Sequence, residues 1–91
     1  MFVKNINGTS KHNPPAGYSS WLEFWEDRTN LSNVSCSSIN CGSIADVGAH
    51  IIRTDVLSNN WYIIPLCISC NNKSSNEIIE ICDNHLVSVV E

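Results

Sequence analysis

Hydrophobic positions with helical spacing occur just after residue 20. Four apolar side chains there follow i, i+3 and i+4 spacing: Trp21, Leu22, Phe24 and Trp25. Ser20 and Glu23 have the spacing of a capping box, which satisfies free backbone N–H groups at a helix start. The pattern predicts an amphipathic helix over residues 20–28 whose aromatic face packs against the rest of the chain. A ligand-binding aromatic box is the alternative use of these rings.

The other apolar segments are short and rich in β-branched residues, as in strands. They cover residues 2–6, 44–52, 61–64, 77–82 and 86–90. The last two segments flank Asp83 and Asn84, and they predict a terminal β-hairpin over residues 77–90. Pro65 is expected to end the third strand or to lie on a sheet edge, because proline cannot donate a ladder hydrogen bond.

The chain of 91 residues is predicted to be a single α+β domain over residues 1–91. Residues 1–19 are expected to form a largely irregular lead-in, because Pro14, Pro15 and two glycines interrupt them. A chain of this length buries only roughly 60–65% of the surface that its unfolded form exposes. Its core is therefore modest, and a covalent or metal staple would contribute strongly to its stability.

Four of the five cysteines are grouped in pairs along the chain: Cys36 with Cys41, and Cys67 with Cys70. Soft thiolates in two pairs suit tetrahedral zinc, and we expect these four side chains to hold a structural Zn²⁺. The helix expected to begin near Cys67 and to continue to residue 74 or 75 would stabilise thiolates through its free N–H groups. Two alternatives remain: four buried or disulfide-bonded cysteines, or a site in which His50 replaces one cysteine.

The order of a cysteine knuckle, a β-hairpin and a C-x2-C helix start is that of a treble-clef unit, here residues 36–75. Gly42 permits the positive φ that is often needed just past a knuckle cysteine. Structural zinc contributes on the order of 10–16 kcal/mol in small zinc peptides, so folding is expected to depend on the metal. Cys82, the fifth cysteine, is expected to be a small buried side chain in an isoleucine-rich strand.

The formal net charge is −4, from five Lys and Arg against nine Asp and Glu. This balance weighs against a general phosphate-binding surface, because nonspecific nucleic-acid affinity comes from Lys and Arg. The first residues lack the long apolar core of a leader, and no run approaches the roughly 20 apolar residues of a membrane helix. Paired cysteines in such a chain favour a reducing, cytoplasmic compartment, where they bind metal more often than they form disulfides. We also expect no membrane association and no small-molecule substrate.

The stretch from Cys36 to Lys73 resembles the HNH endonuclease superfamily, also called the ββα-metal or His-Me finger nucleases. In this resemblance His50 matches the general-base histidine at the end of the first strand. Asn59 or Asn60 matches the middle asparagine. Asn71, directly after the second cysteine pair, matches the last position, as in Holliday-junction resolvases of the endonuclease VII type.

The resemblance implies hydrolysis of a DNA phosphodiester bond. His50 would accept a proton from water, and a Mg²⁺ or Mn²⁺ ion held partly by Asn71 would neutralise the leaving oxyanion. Ala49 stands where the family usually has an acidic or histidine metal ligand. Asp46 lies about 13 Å away along an extended strand and is a poor substitute. Asp55, in the predicted loop, is the other candidate replacement.

Three functions therefore remain open on sequence grounds. The preferred one is a zinc-binding, HNH-like module that has lost most or all nuclease activity and binds nucleic acid or a protein. The others are an active metal-dependent nuclease and a purely structural zinc module that contacts another protein. Catalysis requires His50 and Asn71 to converge in a cleft. Otherwise His50 is a half-buried histidine that hydrogen-bonds across the hairpin and orients a thiolate, and Asn71 caps a helix or lies in a loop.

Overall fold

The computed structural model describes residues 1–6, 13–55, 60–72, 77–82 and 86–89. Its elements are β1 (Phe2–Asn5), α1 (Trp21–Thr29), β2 (Val47–Arg53), β3 (Tyr62–Leu66), α2 (Ile68–Asn71), β4 (Ile78–Glu80) and β5 (Val87–Ser88). The strands form a five-stranded sheet in the order β4-β1-β2-β3-β5, with every pair antiparallel. The fold thus combines an antiparallel sheet with few helices, in agreement with the mixed α and β expectation. None of the helices in these ranges is long and apolar enough to cross a membrane.

Helix α1 is capped at both ends by its own sequence. The Ser20 hydroxyl accepts a hydrogen bond from the Glu23 N–H at 3.1 Å, as the capping-box spacing predicts. The Glu23 carboxylate accepts from the Ser19 hydroxyl at 2.7 Å. Asn30 ends the helix in the left-handed conformation, with φ of 58°. The helix is therefore defined locally before any packing contributes.

The sheet has two apolar faces, because successive side chains of a strand alternate between them. On one side Ala49 and Ile51 of β2 pack with Cys36, Cys67 and Cys70, and we call this side the cysteine face. On the other side Ile63 of β3 packs with Phe24 and Trp25 of α1, and we call this side the helix face. The aromatic residues of α1 are thus core residues of the helix face.

Helix α1 lies directly on β2 at Gly48. A Cβ atom at this position would lie 2.6 Å from the backbone N of Leu22 and 2.6 Å from the backbone C of Trp21. No other residue type allows so close an approach of the two backbones. Gly48 therefore sets how deeply the helix is seated on the sheet.

The loop over residues 36–43, here called the cysteine loop, is hydrogen-bonded to two strands that lie on either side of the cysteine-face core. The Ser37 N–H donates to the Pro65 carbonyl of β3 at 2.9 Å. The Ile39 N–H donates to the Glu80 carbonyl of β4 at 2.9 Å, and the Cys82 N–H donates to the Ser37 carbonyl at 2.9 Å. The loop thus spans from β3 to β4, strands that are separated in the sheet by β1 and β2.

The predicted terminal hairpin over residues 77–90 is wrong. Strands β4 and β5 lie on opposite edges of the sheet, where β4 pairs with β1 and β5 pairs with β3. A strand at the edge of a sheet has unpaired backbone N–H and C=O groups, and a strand from any part of the chain can pair with them. The apolar alternation of a strand does not reveal which edge it will join.

Three other boundaries differ from the sequence prediction. Strand β2 begins at Val47 rather than residue 44, because Ile44 pairs with Ser35 in an isolated bridge beside the cysteine loop. Strand β3 continues through Pro65, which is possible because β5 covers only Tyr62 and Ile63. Helix α2 ends at Asn71 rather than residue 74 or 75, in keeping with the low helix propensity of the asparagines that follow Cys70.

Candidate metal centre

The structure brings the sulfur atoms of Cys36, Cys41, Cys67 and Cys70 within 4.8 Å of one another. The Cys41 Sγ lies 3.7 Å from the Cys67 Sγ and 3.8 Å from the Cys70 Sγ. Four sulfurs at a zinc–sulfur distance of about 2.3 Å in a tetrahedron are separated from one another by about 3.8 Å. The two distances from Cys41 match this value, and all four sulfurs are close enough to share one metal ion.

The cysteine loop supplies two sulfurs in a shared backbone arrangement. The backbone N–H of the residue two positions further on points at each sulfur, Ser38 for Cys36 and Ser43 for Cys41. The Cys36 N–H in turn donates to the Ser43 carbonyl at 2.7 Å, which closes the loop. Gly42 has φ of 76°, as the sequence predicted, and this conformation turns the chain immediately after Cys41.

Helix α2 supplies the other two sulfurs. Cys67 is its N-cap, and the Cys67 Sγ accepts from the Cys70 N–H at 3.4 Å. The Asp46 carboxylate accepts from the Ile68 N–H at 3.0 Å and thereby satisfies another free donor of the first turn. Asp46 therefore stabilises the start of α2. Its position just before β2 gives no local sequence signal for this role.

The pKa values of Cys36, Cys41 and Cys70 are shifted in different directions. Hydrogen bonds from the Ser43 N–H and hydroxyl lower the pKa of Cys41 to about 6. Burial raises the pKa of Cys36 to about 12, and burial also raises the pKa of Cys70. Burial opposes negative charge on these sulfurs, so four thiolates can be present together only when a cation offsets their charge. The donor set consequently fits a divalent ion that binds thiolates.

His50 lies on the helix face and not with the cysteines. Its ring packs edge-to-face against Trp21 and Trp61, at centroid distances of 4.6 Å and 5.5 Å. Its neighbours Ala49 and Ile51 point to the cysteine face, and His50 itself is 8% exposed. The alternative to catalysis was a half-buried histidine that orients a thiolate. The His50 side chain is buried, but the sheet separates it from the thiols. It is placed neither to replace a cysteine nor to orient a thiolate.

Asn71 lies on the cysteine face, bound to a buried partner. The Asn5 side-chain amide donates to the Asn71 carbonyl at 3.1 Å and to the Asn71 Oδ1 at 3.3 Å. Asn5 is 1% exposed and pairs with Ile51 across the β1–β2 ladder. The available signal for this buried contact was the place of Asn5 two residues after Val3, on the same face of the strand. His50 and Asn71 therefore lie on opposite faces of the sheet, and the structure does not bring them into one cleft.

The remaining candidates for a hydrolytic site are also dispersed. Asn60 is exposed just before β3, at the end of the β2–β3 hairpin away from Cys67, whereas Asn59 lies outside the described residues. The Asp55 carboxylate binds the Arg53 guanidinium through two contacts of 2.9 Å and 2.7 Å. This partner lowers the pKa of Asp55 and holds the carboxylate at the loop. Asp55 is thus not positioned as a replacement metal ligand.

Cys82 is exposed, which corrects the expectation that it is buried. Ile79 and Ile81 take the inward positions of this segment, so alternation leaves Cys82 outside the core. Together with Trp25, Val34 and Pro65 it lines a cavity of about 280 Å³. His12 and His85, which the sequence predicts to be exposed, lie outside the described residues.

No family model matches the chain, and no curated protein or solved structure is significantly similar to it. The likeness to HNH nucleases therefore rests on the sequence motif alone, that is, on the order of the cysteines together with the positions of His50, Asn59 or Asn60, and Asn71. The metal centre is supported by its own geometry.

Proposed function

We propose that this chain is a structural zinc domain, in which Cys36, Cys41, Cys67 and Cys70 hold one Zn²⁺. The observation that carries the proposal is the separation of 3.7 and 3.8 Å between sulfurs of the two cysteine pairs. Four protein thiolates complete the coordination of zinc and leave no position for a substrate. The ion therefore acts on stability and not on a reaction.

Within this proposal the zinc unit is of the treble-clef type. Three features support that assignment: the cysteine loop contributes one pair of ligands, β2 and β3 form an antiparallel hairpin, and α2 begins at the second pair. Such a unit is the scaffold of zinc-bearing HNH proteins. The separation of His50 from Asn71 favours a scaffold without the nuclease chemistry.

The domain would act by binding a partner protein rather than nucleic acid. The net charge is −4, and the described arginines are engaged within the chain. Arg53 pairs with Asp55 at 2.7 Å, and the Arg28 guanidinium lies 5.0 Å from the centroid of the Phe24 ring. Lys4 is the one remaining Lys or Arg among the residues that the structure describes. This part of the chain therefore offers few cations to neutralise phosphates, the contacts that dominate nucleic-acid affinity.

Elemental analysis of the purified chain tests the zinc proposal. We expect one zinc per chain in the wild type and in Cys82→Ser, the matched control outside the cluster. Cys67→Ser should lose the metal, because serine keeps the capping acceptor of α2 but is a poor zinc ligand. Full zinc occupancy in Cys67→Ser, or no zinc in the wild type, would contradict the proposal.

A plasmid-nicking assay with Mg²⁺ or Mn²⁺ separates this function from the nuclease alternative. We expect no nicking by the wild type or by His50→Ala. Nicking by the wild type that disappears in His50→Ala would establish an HNH nuclease and overturn the assignment. Fluorescence anisotropy with labelled duplex DNA at low and high salt provides the binding control, since electrostatic binding would weaken steeply with salt.

A further inference from the structure

The four thiols of the metal centre differ in how far solvent reaches them. Cys36, Cys67 and Cys70 are 5%, 6% and 8% exposed, and they belong to the core of the cysteine face. Cys41 is only half-buried and packs at the margin of that core. A dissolved reagent therefore meets the centre at Cys41 first.

The accessible sulfur also lies within reach of two buried ones. The Cys41 Sγ is 3.7 Å from the Cys67 Sγ and 3.8 Å from the Cys70 Sγ. A disulfide requires about 2.05 Å between the sulfurs, so a movement of less than about 2 Å along this line closes either bond. Cys41 is on the turn of the cysteine loop between Asn40 and Gly42, both in the left-handed conformation.

We propose that hydrogen peroxide oxidises the metal centre through Cys41, and that a disulfide from Cys41 to Cys67 or Cys70 then releases the zinc. The inference rests on the proposed zinc site and describes how that site is regulated. Reduction of the disulfide by a thiol restores the four ligands.

The reaction balances in two steps. The Cys41 sulfur attacks one peroxide oxygen, the O–O bond breaks, and the leaving hydroxide takes up a proton to give water. The sulfur is now a sulfenic acid, oxidised by two electrons. A second thiolate, from Cys67 or Cys70, attacks this sulfur, and the S–O bond breaks with loss of a second hydroxide, which is protonated to water. Two thiolates remain, too few to hold a structural zinc ion.

The test begins with the full chain loaded with zinc, whose stoichiometry is measured before oxidant is added. Hydrogen peroxide is then added in the presence of a colorimetric zinc indicator, and the disulfides are mapped by peptide mass spectrometry. We expect release of one zinc per chain, a Cys41 disulfide to Cys67 or Cys70, and recovery of zinc binding after dithiothreitol. Cys82→Ser should behave as the wild type, which excludes the exposed thiol as the sensor.

A Cys41→His variant supplies a fourth ligand without the accessible thiolate. It should still bind zinc, and peroxide should release that zinc at least roughly tenfold more slowly, because histidine offers no accessible sulfur for peroxide to oxidise. Absence of zinc before peroxide contradicts the proposed function itself. Zinc that stays bound in the oxidised wild type, or disulfides that exclude Cys41, overturn only the oxidation step. The mapped pairing in the wild type decides the matter even if Cys41→His does not fold.

Discussion

At the scale of single residues, His50 shows how a residue type with catalytic potential can serve packing. Its ring is buried on the helix face between Trp21 and Trp61, beneath α1. The two aromatic neighbours make edge-to-face contacts of the kind that stabilise cores. The neighbouring position on the strand would have placed the same side chain among the thiols, so a register of one residue separates the two roles.

Truncation of this side chain should cost stability without affecting the metal. We expect His50→Ala to lower the free energy of unfolding by about 1–3 kcal/mol, because it leaves a cavity beneath α1. Denaturant unfolding measures the loss, and elemental analysis should still give one zinc per chain. His50→Phe, which keeps a ring, is the control and should recover part of the difference. Loss of zinc from a folded His50→Ala would instead identify His50 as a ligand.

Gly48 provides a second test at this scale. Gly48→Ala places a Cβ atom 2.6 Å from the α1 backbone, where no flexible side chain can move aside. We expect a loss of about 1–3 kcal/mol as the helix shifts from the sheet. Chemical denaturation followed by tryptophan fluorescence should show it, because Trp21 and Trp25 lie in the displaced helix. A variant as stable as the wild type would mean that α1 is not seated on β2.

At the scale of elements, α1 is the helix whose two ends are set by capping residues next to it in the sequence. Its N-cap is Ser20, and its C-cap is Asn30 in the left-handed conformation. The Glu23 carboxylate, however, binds Ser19 rather than the N–H of Ser20 that the capping-box motif specifies. The serine pair at positions 19 and 20 thus divides the capping between two residues.

Substitution of the cap should weaken α1 by a modest amount. We expect Ser20→Ala to lower the stability by about 1 kcal/mol, because the Glu23 N–H loses its acceptor. Ser20→Asp keeps an acceptor and should remain close to the wild type. Thermal unfolding followed by circular dichroism gives the comparison. An equal loss in Ser20→Asp would show that the hydroxyl acts through some other contact.

The pairing of the strands could be predicted from the sequence only in part. The pattern over residues 44–52 and 61–64 was sufficient to predict the β2–β3 hairpin, though not its bounds, because the two segments are neighbours in the chain. The pairing of β4 with β1 joins segments far apart, and nothing local encodes it. The cysteine spacing predicted that the four thiols cluster, whereas the face on which His50 lies depended on strand register.

At the scale of the whole molecule, the metal centre and the sheet share one core. Cys36, Cys67 and Cys70 pack in the same cluster as Ile51, Ile64 and Leu66. The cysteine loop also donates to, or accepts from, β3, β4 and Cys82. The buried cluster of the helix face is smaller, so in a chain of 91 residues it can compensate only in part for the loss of this core.

Removal of zinc should therefore unfold the chain. We expect a strong zinc chelator to abolish the cooperative thermal transition, since structural zinc in small domains contributes on the order of 10 kcal/mol. Circular dichroism with and without the chelator measures this, and added zinc should restore the transition. A magnesium chelator of low zinc affinity is the control. A chelated, zinc-free chain that still unfolds cooperatively near the original temperature would contradict a structural role.

The bridging position of the cysteine loop makes one edge of the sheet depend on the thiol cluster. The Ile39 N–H donates to the Glu80 carbonyl, and the Cys82 N–H donates to the Ser37 carbonyl. A disturbance of the loop therefore weakens hydrogen bonds at the β4 edge, which two strands separate from the contact of the loop with β3. Amide hydrogen exchange at Ile39 and Cys82 would report such a disturbance before the central strands open.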